Sequence, residues 1–135
     1  MSSAPIPFGI HLMLDFYGCP EAPLSDMEGC YNALNNLPKV LNMHILTPPF
    51  VVRAPSTEGN GGKDPGGFSG FIVIAESHIS VHTFPKRGFV SIDVYSCKQF
   101  DTVKATKYFE TIFRPKEKEE NIVNRGSFYP PKNIY

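Results

Sequence analysis

The stretch "AESHISVHTFPKRGFVSIDVYSC", residues 75–97, alternates apolar and polar side chains on both sides of a Pro-Lys-Arg-Gly segment. A period of two is typical of β-strands that bury one face, and a short segment with proline and glycine is typical of a hairpin turn. We therefore predict two antiparallel strands, residues 78–84 and 89–96, joined by a turn at residues 85–88.

The register of this hairpin brings nucleophiles and proton carriers to one end. With the turn at its tip, Phe84 is expected opposite Phe89, and counting outward along both strands places the Glu76–Ser77 bond beside Cys97. Each residue also has a plainer explanation, because a serine alone carries no functional signal and a lone cysteine is more often a small buried hydrophobe. The combination is what indicates a site.

Two other polar residues are predicted to lie away from this end within one chain. His82 is five residues from Ser77, which is about 16 Å along an extended strand, and an odd spacing turns its side chain to the opposite face. The same argument applies to Ser69, eight residues before Ser77 on the preceding strand. If either residue acts on Ser77, we expect it to come from a second copy of the chain.

Two histidines of this hairpin have a spacing that bears on metal binding. His78 and His82 fall on the same face of one strand, and paired histidines can bind zinc. The sequence offers no third ligand at a suitable spacing, so no metal is predicted.

The remaining elements are read from hydrophobic periodicity and capping residues. Strands are predicted at residues 8–19, 43–54 with a proline interruption, and 68–77, and an edge strand is predicted in the tail from residue 114. The glycine-rich segment 55–67 is predicted to be a mobile surface loop.

Two helices are predicted from their caps and apolar stripes. The first has Ser25 as its N-cap with Glu28 three residues later, and is expected to stop near Pro38. The second is residues 101–113, capped by Asp101. Their buried stripes are predicted to be Met27, Cys30, Tyr31, Leu34 and Leu37 in the first, and Val103, Tyr108, Ile112 and Phe113 in the second.

The fold class predicted from these elements is α+β, a two-layer arrangement of an antiparallel sheet with helices on one face. A chain of 135 residues is expected to form a single domain spanning residues 1–135. The formal net charge is zero, which argues against a nucleic-acid-binding protein. Three cysteines without an N-terminal signal pattern favour a reducing, cytoplasmic location, and no apolar run is long enough to span a membrane.

The motif "ESHISVHTFP" followed by "DVYSC" resembles that of the small prokaryotic S-adenosylmethionine decarboxylases. The resemblance extends to "FSGFIVIAES" before it and to the opening "HLMLDFYGC", so that residues 10–20 and 66–100 carry it. It implies a self-processing proenzyme in which Ser77 attacks the Glu76 carbonyl. The products would be a β fragment, residues 1–76, and an α fragment, residues 77–135, whose first residue becomes a pyruvoyl cofactor derived from Ser77.

The resemblance also implies roles for the other motif residues. His82 would take the serine α-proton during elimination, Ser69 would help processing, and Cys97 would be the catalytic acid in decarboxylation. The pyruvoyl ketone, joined to the substrate amine as a Schiff base, would act as the electron sink. The family forms homodimers that are four-layer αββα sandwiches, with each active site shared between the two subunits.

Departures from the family motif bear on the substrate. Lys86 stands where relatives have a glutamate that binds the ribose hydroxyls, and a lysine can only donate hydrogen bonds. The adenine-stacking phenylalanine of the family aligns with Lys63, although Phe50 or Phe68 could substitute for it. Lys86, Phe50 and Phe68 are therefore the candidate substrate-binding residues.

Three functions follow from this interpretation. The expectation is a pyruvoyl-dependent decarboxylase acting on L-ornithine or L-arginine, with an acidic anchor among Asp15, Glu58 and Asp64. The first alternative is S-adenosylmethionine decarboxylase, which supplies spermidine synthesis. The second is an unprocessed homologue with a regulatory role, against which the intact set of Ser77, His82 and Cys97 argues.

Overall fold

A computed structural model describes residues 6–135, which form six strands and three α-helices. The strands are β1 (Gly9–Tyr17), β2 (Phe50–Ala54), β3 (Gly67–Ile74), β4 (Ser77–Phe84), β5 (Phe89–Ser96) and β6 (Glu117–Arg125). The helices are α1 (Glu21–Leu24), α2 (Met27–Val40) and α3 (Thr102–Phe113). The strands pair antiparallel in the order β2-β3-β4-β5-β1-β6, which confirms the predicted α+β class.

The β4–β5 hairpin has the predicted register. Phe84 pairs with Phe89, and Ser77 pairs with Ser96 at the other end. The turn is a single 3-10 turn, Pro85–Arg87, followed by Gly88 at φ +60°. Glycine adopts this left-handed conformation without the steric cost that a Cβ imposes, so the hairpin closes here.

Helix α2 begins and ends later than the sequence indicated. Its N-cap is Asp26, whose carboxylate accepts a hydrogen bond from the backbone N–H of Gly29 at 2.9 Å, so the predicted capping by Ser25 is wrong. The helix also continues through Pro38, because a proline this close to the end removes only one intrahelical bond. Cys30, Leu34 and Leu37 are buried as predicted, whereas Met27 and Tyr31 are exposed.

Helix α3 confirms the predicted cap but corrects the predicted stripe. The Asp101 carboxylate accepts a hydrogen bond from the N–H of Lys104 at 2.9 Å. Val103 is exposed, because the buried stripe runs through residues spaced four apart. Those residues are Ala105, Phe109 and Phe113, with Tyr108 and Ile112 packed partly against the same core.

The other predicted strands are present with shifted boundaries. The strand predicted at 43–54 reduces to β2, because two prolines precede Phe50 and only an isolated bridge joins Ile45 to Ile74. The tail forms β6, an edge strand beside β1 as predicted. No helix within residues 6–135 is long and apolar enough to cross a membrane.

The two faces of the sheet differ in burial. The helices cover one face, where Leu12, Leu14, Ile72, Ile79 and Ile92 are buried in the core. The opposite face, here called the open face, carries the alternate residues of each strand. Its side chains include those of His11, Met13, Asp15, Ser69, Phe71, Val73, His78, Ser80, His82, Ser91, Asp93 and Tyr95.

Candidate active site

The turn between β3 and β4 holds the bond that the motif singled out. Ile74 pairs with Ser77, so Ala75 and Glu76 form the two-residue turn. The backbone N–H of Cys97, just after β5, donates a hydrogen bond to the Glu76 carbonyl oxygen at 2.8 Å. This confirms the predicted position of Cys97 beside the Glu76–Ser77 bond. A donor on this oxygen polarises the carbonyl and favours attack on its carbon.

Ser77 has an unusual backbone conformation. Its φ is +148°, one of three positive values at non-glycine residues in the described part of the chain. Such conformations cost about 1–3 kcal/mol and tend to occur at functional sites. The strain therefore lies on the residue whose hydroxyl would act as the nucleophile, directly after the Glu76 carbonyl.

The Glu76 side chain is held by a residue that the sequence did not indicate. Glu76 is only 7% exposed, and its Oε1 accepts a hydrogen bond from the backbone N–H of His44 at 3.0 Å. Its Oε2 lies 2.8 Å from His44 Nδ1, which must carry the proton because a carboxylate can only accept. Burial by itself raises the pKa of Glu76, but the hydrogen bonds from His44 outweigh it, so the pKa is lowered.

His82 and Ser69 lie together at the other end of β4. They pair across β3 and β4, and Ser69 Oγ lies 2.9 Å from His82 Nδ1. The register places them five positions from Ser77, a separation of about 16 Å along the strand. The structure thus confirms that one chain keeps this pair away from its own Ser77.

Asp15 lies in the same row of the open face as His82. Ser91 pairs with His82 on one side and with Asp15 on the other. The pKa of Asp15 is raised by burial and by the nearby charges of Glu119 and Asp93, and a hydrogen bond with Ser91 opposes the shift only in part. Burial is thus the main cause of the raised pKa of Asp15, and the neighbouring carboxylates of Glu119 and Asp93 add to it.

A second polar cluster, also missed from the sequence, occupies the middle of the open face. His11 Nε2 lies 2.8 Å from Asp93 Oδ1, and Arg125 donates to His11 Nδ1 at 3.2 Å. Since Arg125 can only donate, His11 carries its proton on Nε2. His78 packs against Tyr95 with ring centroids 5.6 Å apart. Residues 6–135 contain no group of three His, Cys, Asp or Glu side chains placed to hold a metal.

A cavity of about 560 Å³ lies beside the tip of the β4–β5 hairpin. Three aromatic rings form its apolar wall, with centroids 5.3 Å apart for Tyr17 and Phe89 and 5.4 Å apart for Phe84 and Phe89. Lys63 and Asp64 line the same cavity. Asp64, a candidate anchor for a basic substrate, accepts a hydrogen bond through Oδ1 from Gly66 N–H at 2.7 Å.

The predicted substrate-binding residues divide between two places. Lys86 and Phe68 line a neighbouring cavity of about 320 Å³ with Arg53. Phe50 instead packs against Phe71 on β3, with ring centroids 5.7 Å apart. Of the other candidate anchors, Glu58 is paired with Arg87.

Comparisons with known proteins agree on one family. A family model described as S-adenosylmethionine decarboxylase matches residues 10–126. The S-adenosylmethionine decarboxylase proenzyme of Sulfurihydrogenibium sp. (strain YO3AOP1) is 33% identical over 119 residues, covering 87% of this chain and 82% of that protein. The proenzyme of Clostridium botulinum (strain Langeland / NCTC 10281 / Type F) is also 33% identical, covering 87% of this chain and 94% of that protein.

A solved structure gives the same result. The crystal structure of the adenosylmethionine decarboxylase from Aquifex aeolicus VF5 is similar, with a TM-score of 0.74 at 25% sequence identity. The match covers 96% of this chain and 98% of that chain.

The expected preference for L-ornithine or L-arginine is contradicted by these relatives, which are named S-adenosylmethionine decarboxylase proenzymes. The expectation depended on Lys86 replacing a hydrogen-bond acceptor and on Lys63 replacing an aromatic ring. That expectation did not include the cavity at the hairpin tip, which Tyr17, Phe84, Phe89 and Asp64 line. The chain belongs to the S-adenosylmethionine decarboxylase family.

Proposed function

We propose that this protein is a self-processing, pyruvoyl-dependent S-adenosylmethionine decarboxylase of polyamine biosynthesis. The observation that carries the proposal is the hydrogen bond from Cys97 N–H to the Glu76 carbonyl oxygen, directly before Ser77. A polarised carbonyl, an adjacent hydroxyl and a nearby thiol form one site at the start of β4. Family membership supports the same activity.

Self-processing begins with an acyl shift. Ser77 Oγ attacks the Glu76 carbonyl carbon, the Oγ–C bond forms, and the C–N bond to Ser77 breaks. The hydroxyl proton passes to the freed amine, which leaves an ester between Glu76 and Ser77. The N–H of Cys97 stabilises the negative charge that develops on the carbonyl oxygen during attack.

Elimination then separates the two fragments. Removal of the Ser77 α-proton breaks the Cβ–Oγ bond and releases Glu76 as the carboxyl terminus of the fragment 1–76. The dehydroalanine that remains tautomerises and takes up water, which releases ammonia and leaves a pyruvoyl group on the fragment 77–135. We assign the removal of the α-proton to His82, and Ser69 orients the ring through its contact with Nδ1.

The distance between His82 and Ser77 favours a homodimer with shared sites. Hydrophobic side chains on this side of the sheet are exposed, including Phe50, Val52 and Phe71, which is typical of a surface that a partner covers. Two copies can stack with their open faces together, related by a two-fold axis that lies between the sheets and perpendicular to the strands. This arrangement brings the Ser77 end of β4 in one copy to the His82 end of β4 in the other. We therefore propose a four-layer αββα dimer.

The residues at the site fit the pyruvoyl cofactor, because Ser77 is its precursor and lies beside Cys97. When formed, the pyruvoyl ketone supplies the electron sink for the charge that decarboxylation leaves on the substrate. Cys97 is exposed and can carry a proton to the substrate carbon once carbon dioxide has left. Cys97 therefore has two parts in the proposal, its N–H in processing and its thiol in turnover.

The cavity at the hairpin tip is the proposed nucleoside site. S-adenosylmethionine presents a flat adenine and a ribose diol, and aromatic rings such as Phe84 and Phe89 offer the stacking surface that an adenine requires. Asp64 supplies an acceptor for sugar hydroxyls that Lys86 cannot provide. This arrangement favours S-adenosylmethionine over a simple amino acid.

Carbon dioxide release tests the proposal. Wild-type protein is incubated in parallel with carboxyl-labelled S-adenosylmethionine, L-ornithine and L-arginine, with Ser77→Ala as the matched control. We expect release from S-adenosylmethionine by the wild type alone. Release from an amino acid and not from S-adenosylmethionine, or equal release by the Ser77→Ala variant, would overturn it.

A further inference from the structure

We infer that His44 is a positioning residue for self-cleavage, which holds Glu76 so that its carbonyl faces both Cys97 N–H and the Ser77 hydroxyl. This inference rests on the proposed self-processing at Glu76–Ser77. It assigns a role to His44, which lies outside the motif at residues 75–97. His44 lies in the segment between α2 and β2.

His44 contacts the β3–β4 turn through three groups. Its backbone carbonyl accepts a hydrogen bond from Ala75 N–H at 2.8 Å, and its backbone N–H donates to Glu76 Oε1 at 3.0 Å. Its ring Nδ1 donates to Glu76 Oε2 at 2.8 Å. One residue therefore fixes both the backbone and the side chain of the two-residue turn.

The side chain of His44 covers that of Glu76, as their solvent exposures show. The His44 side chain is 76% exposed, whereas that of Glu76 is 9% exposed beneath it. The backbone N–H of Glu76 itself also contributes to the carboxylate, and its partners from elsewhere in the chain are the backbone N–H and the ring of His44, one to each oxygen. Loss of the ring opens a path for the carboxylate to turn toward water.

Movement of the Glu76 side chain is expected to affect the Glu76–Ser77 peptide bond. The Glu76 carbonyl is restrained on one side by Cys97 N–H, and the carboxylate is restrained on the other side by His44. If the carboxylate turns outward, the Glu76 backbone is free to rotate, and the carbonyl carbon leaves the approach of Ser77 Oγ. Small misplacements of reacting atoms lower rates substantially.

The test measures self-cleavage of freshly purified full-length variants by the appearance of the two fragments. His44→Asn places an amide nitrogen near the position of Nδ1, whereas His44→Gln places it near the position of Nε2. We expect His44→Ala and His44→Gln to cleave about three- to tenfold more slowly than wild type, as loss of one partly exposed hydrogen bond to a carboxylate would give. His44→Asn should restore most of the rate. If His44 acted only through packing or solubility, His44→Asn and His44→Gln would cleave at similar rates.

Hydroxylamine identifies the step that is slowed, since it cleaves an ester but leaves an amide intact. We expect uncleaved His44→Ala to resist hydroxylamine, because the acyl shift is impaired, and uncleaved His82→Ala to be sensitive, because elimination is impaired. Lys118→Ala breaks the ion pair with Glu110, far from the turn, and should cleave at the wild-type rate.

The outcomes separate this inference from the proposed function. If the wild type cleaves itself and His44→Ala does so at the same rate, the proposed role of His44 is wrong, whereas the proposal of self-processing is unaffected. The same conclusion follows if uncleaved His44→Ala is sensitive to hydroxylamine, or if Asn and Gln behave alike. If the wild type never cleaves, the proposed processing itself is wrong.

Discussion

Cys97 N–H and the Glu76 carbonyl oxygen lie 2.8 Å apart, in a hydrogen bond that ties the β3–β4 turn to the end of β5. The bond involves the backbone of Cys97 and leaves its thiol free and exposed. One residue can therefore serve the processing step with its amide and the decarboxylation step with its side chain. The two contributions can be separated by mutation.

Cys97→Ala keeps the backbone N–H and removes only the thiol. We expect this variant to cleave itself within about tenfold of the wild-type rate, because the oxyanion donor remains, and to lose about a hundredfold or more in turnover, because the proton donor is gone. Fragment formation and carbon dioxide release on the same sample provide the two readouts. Full turnover in Cys97→Ala would remove the thiol from the mechanism.

The positive φ of Ser77 predicts a stability difference between two uncleaved variants. Glycine tolerates φ of +148° and alanine does not, so Ser77→Gly should be more stable than Ser77→Ala by about 1 kcal/mol. In an unstrained strand glycine would be the less stable of the two. Urea unfolding at neutral pH measures the difference, and a lower midpoint for Ser77→Gly would show that no strain is stored at this position.

Shared active sites predict complementation between inactive chains. Ser77→Ala lacks the nucleophile and His82→Ala lacks the base, so neither homodimer should form the pyruvoyl group. In a hybrid formed by refolding the two together, Ser77 of one chain meets His82 of the other, and part of the His82→Ala chain should be cleaved. Hybrids shown to form by tagged purification, yet containing only uncleaved chains, would contradict the shared arrangement.

The lowered pKa of Glu76 predicts an acid-dependent loss of stability. A carboxyl group whose folded-state pKa lies below its unfolded value near 4.5 stabilises the fold above that value, and this stabilisation is lost as the pH falls through the folded-state pKa. The Ser77→Ala protein should therefore lose stability more steeply than Ser77→Ala with Glu76→Gln between about pH 6 and pH 3. Urea midpoints across this range test the difference, and parallel curves would show that His44 does not stabilise the ionised form.

The hairpin and its register could be predicted because strand alternation and a Pro-Lys-Arg-Gly turn are local signals. With Phe84 opposite Phe89, counting residues outward from the turn along the two strands predicts that Cys97 lies beside Glu76, as observed. The cap of α3 at Asp101 was equally local. The cap of α2 was predicted one residue too early, because Ser25 and Asp26 are both good N-cap residues and Ser25 instead forms the C-cap of α1, a helix that was not predicted.

The parts of the site that were missed depend on contacts between distant segments. His44 reaches Glu76 from the connection after α2, and no periodicity or spacing marks it. Asp64 is a candidate anchor from the sequence, but its position beside Tyr17 in one cavity depends on the loop before β3 lying near the end of β1. The expected preference for ornithine or arginine was wrong, because it depended on single positions such as Lys86, whereas the relatives named S-adenosylmethionine decarboxylase proenzymes are similar over most of the chain.

The most direct test of the account is the mass of the purified wild-type protein under denaturing conditions. The account predicts two fragments, residues 1–76 ending at Glu76 and residues 77–135 lighter by one ammonia than a fragment that begins with an intact Ser77. A single uncleaved chain that nevertheless releases carbon dioxide from S-adenosylmethionine, or an α fragment that begins with unmodified serine, would contradict it.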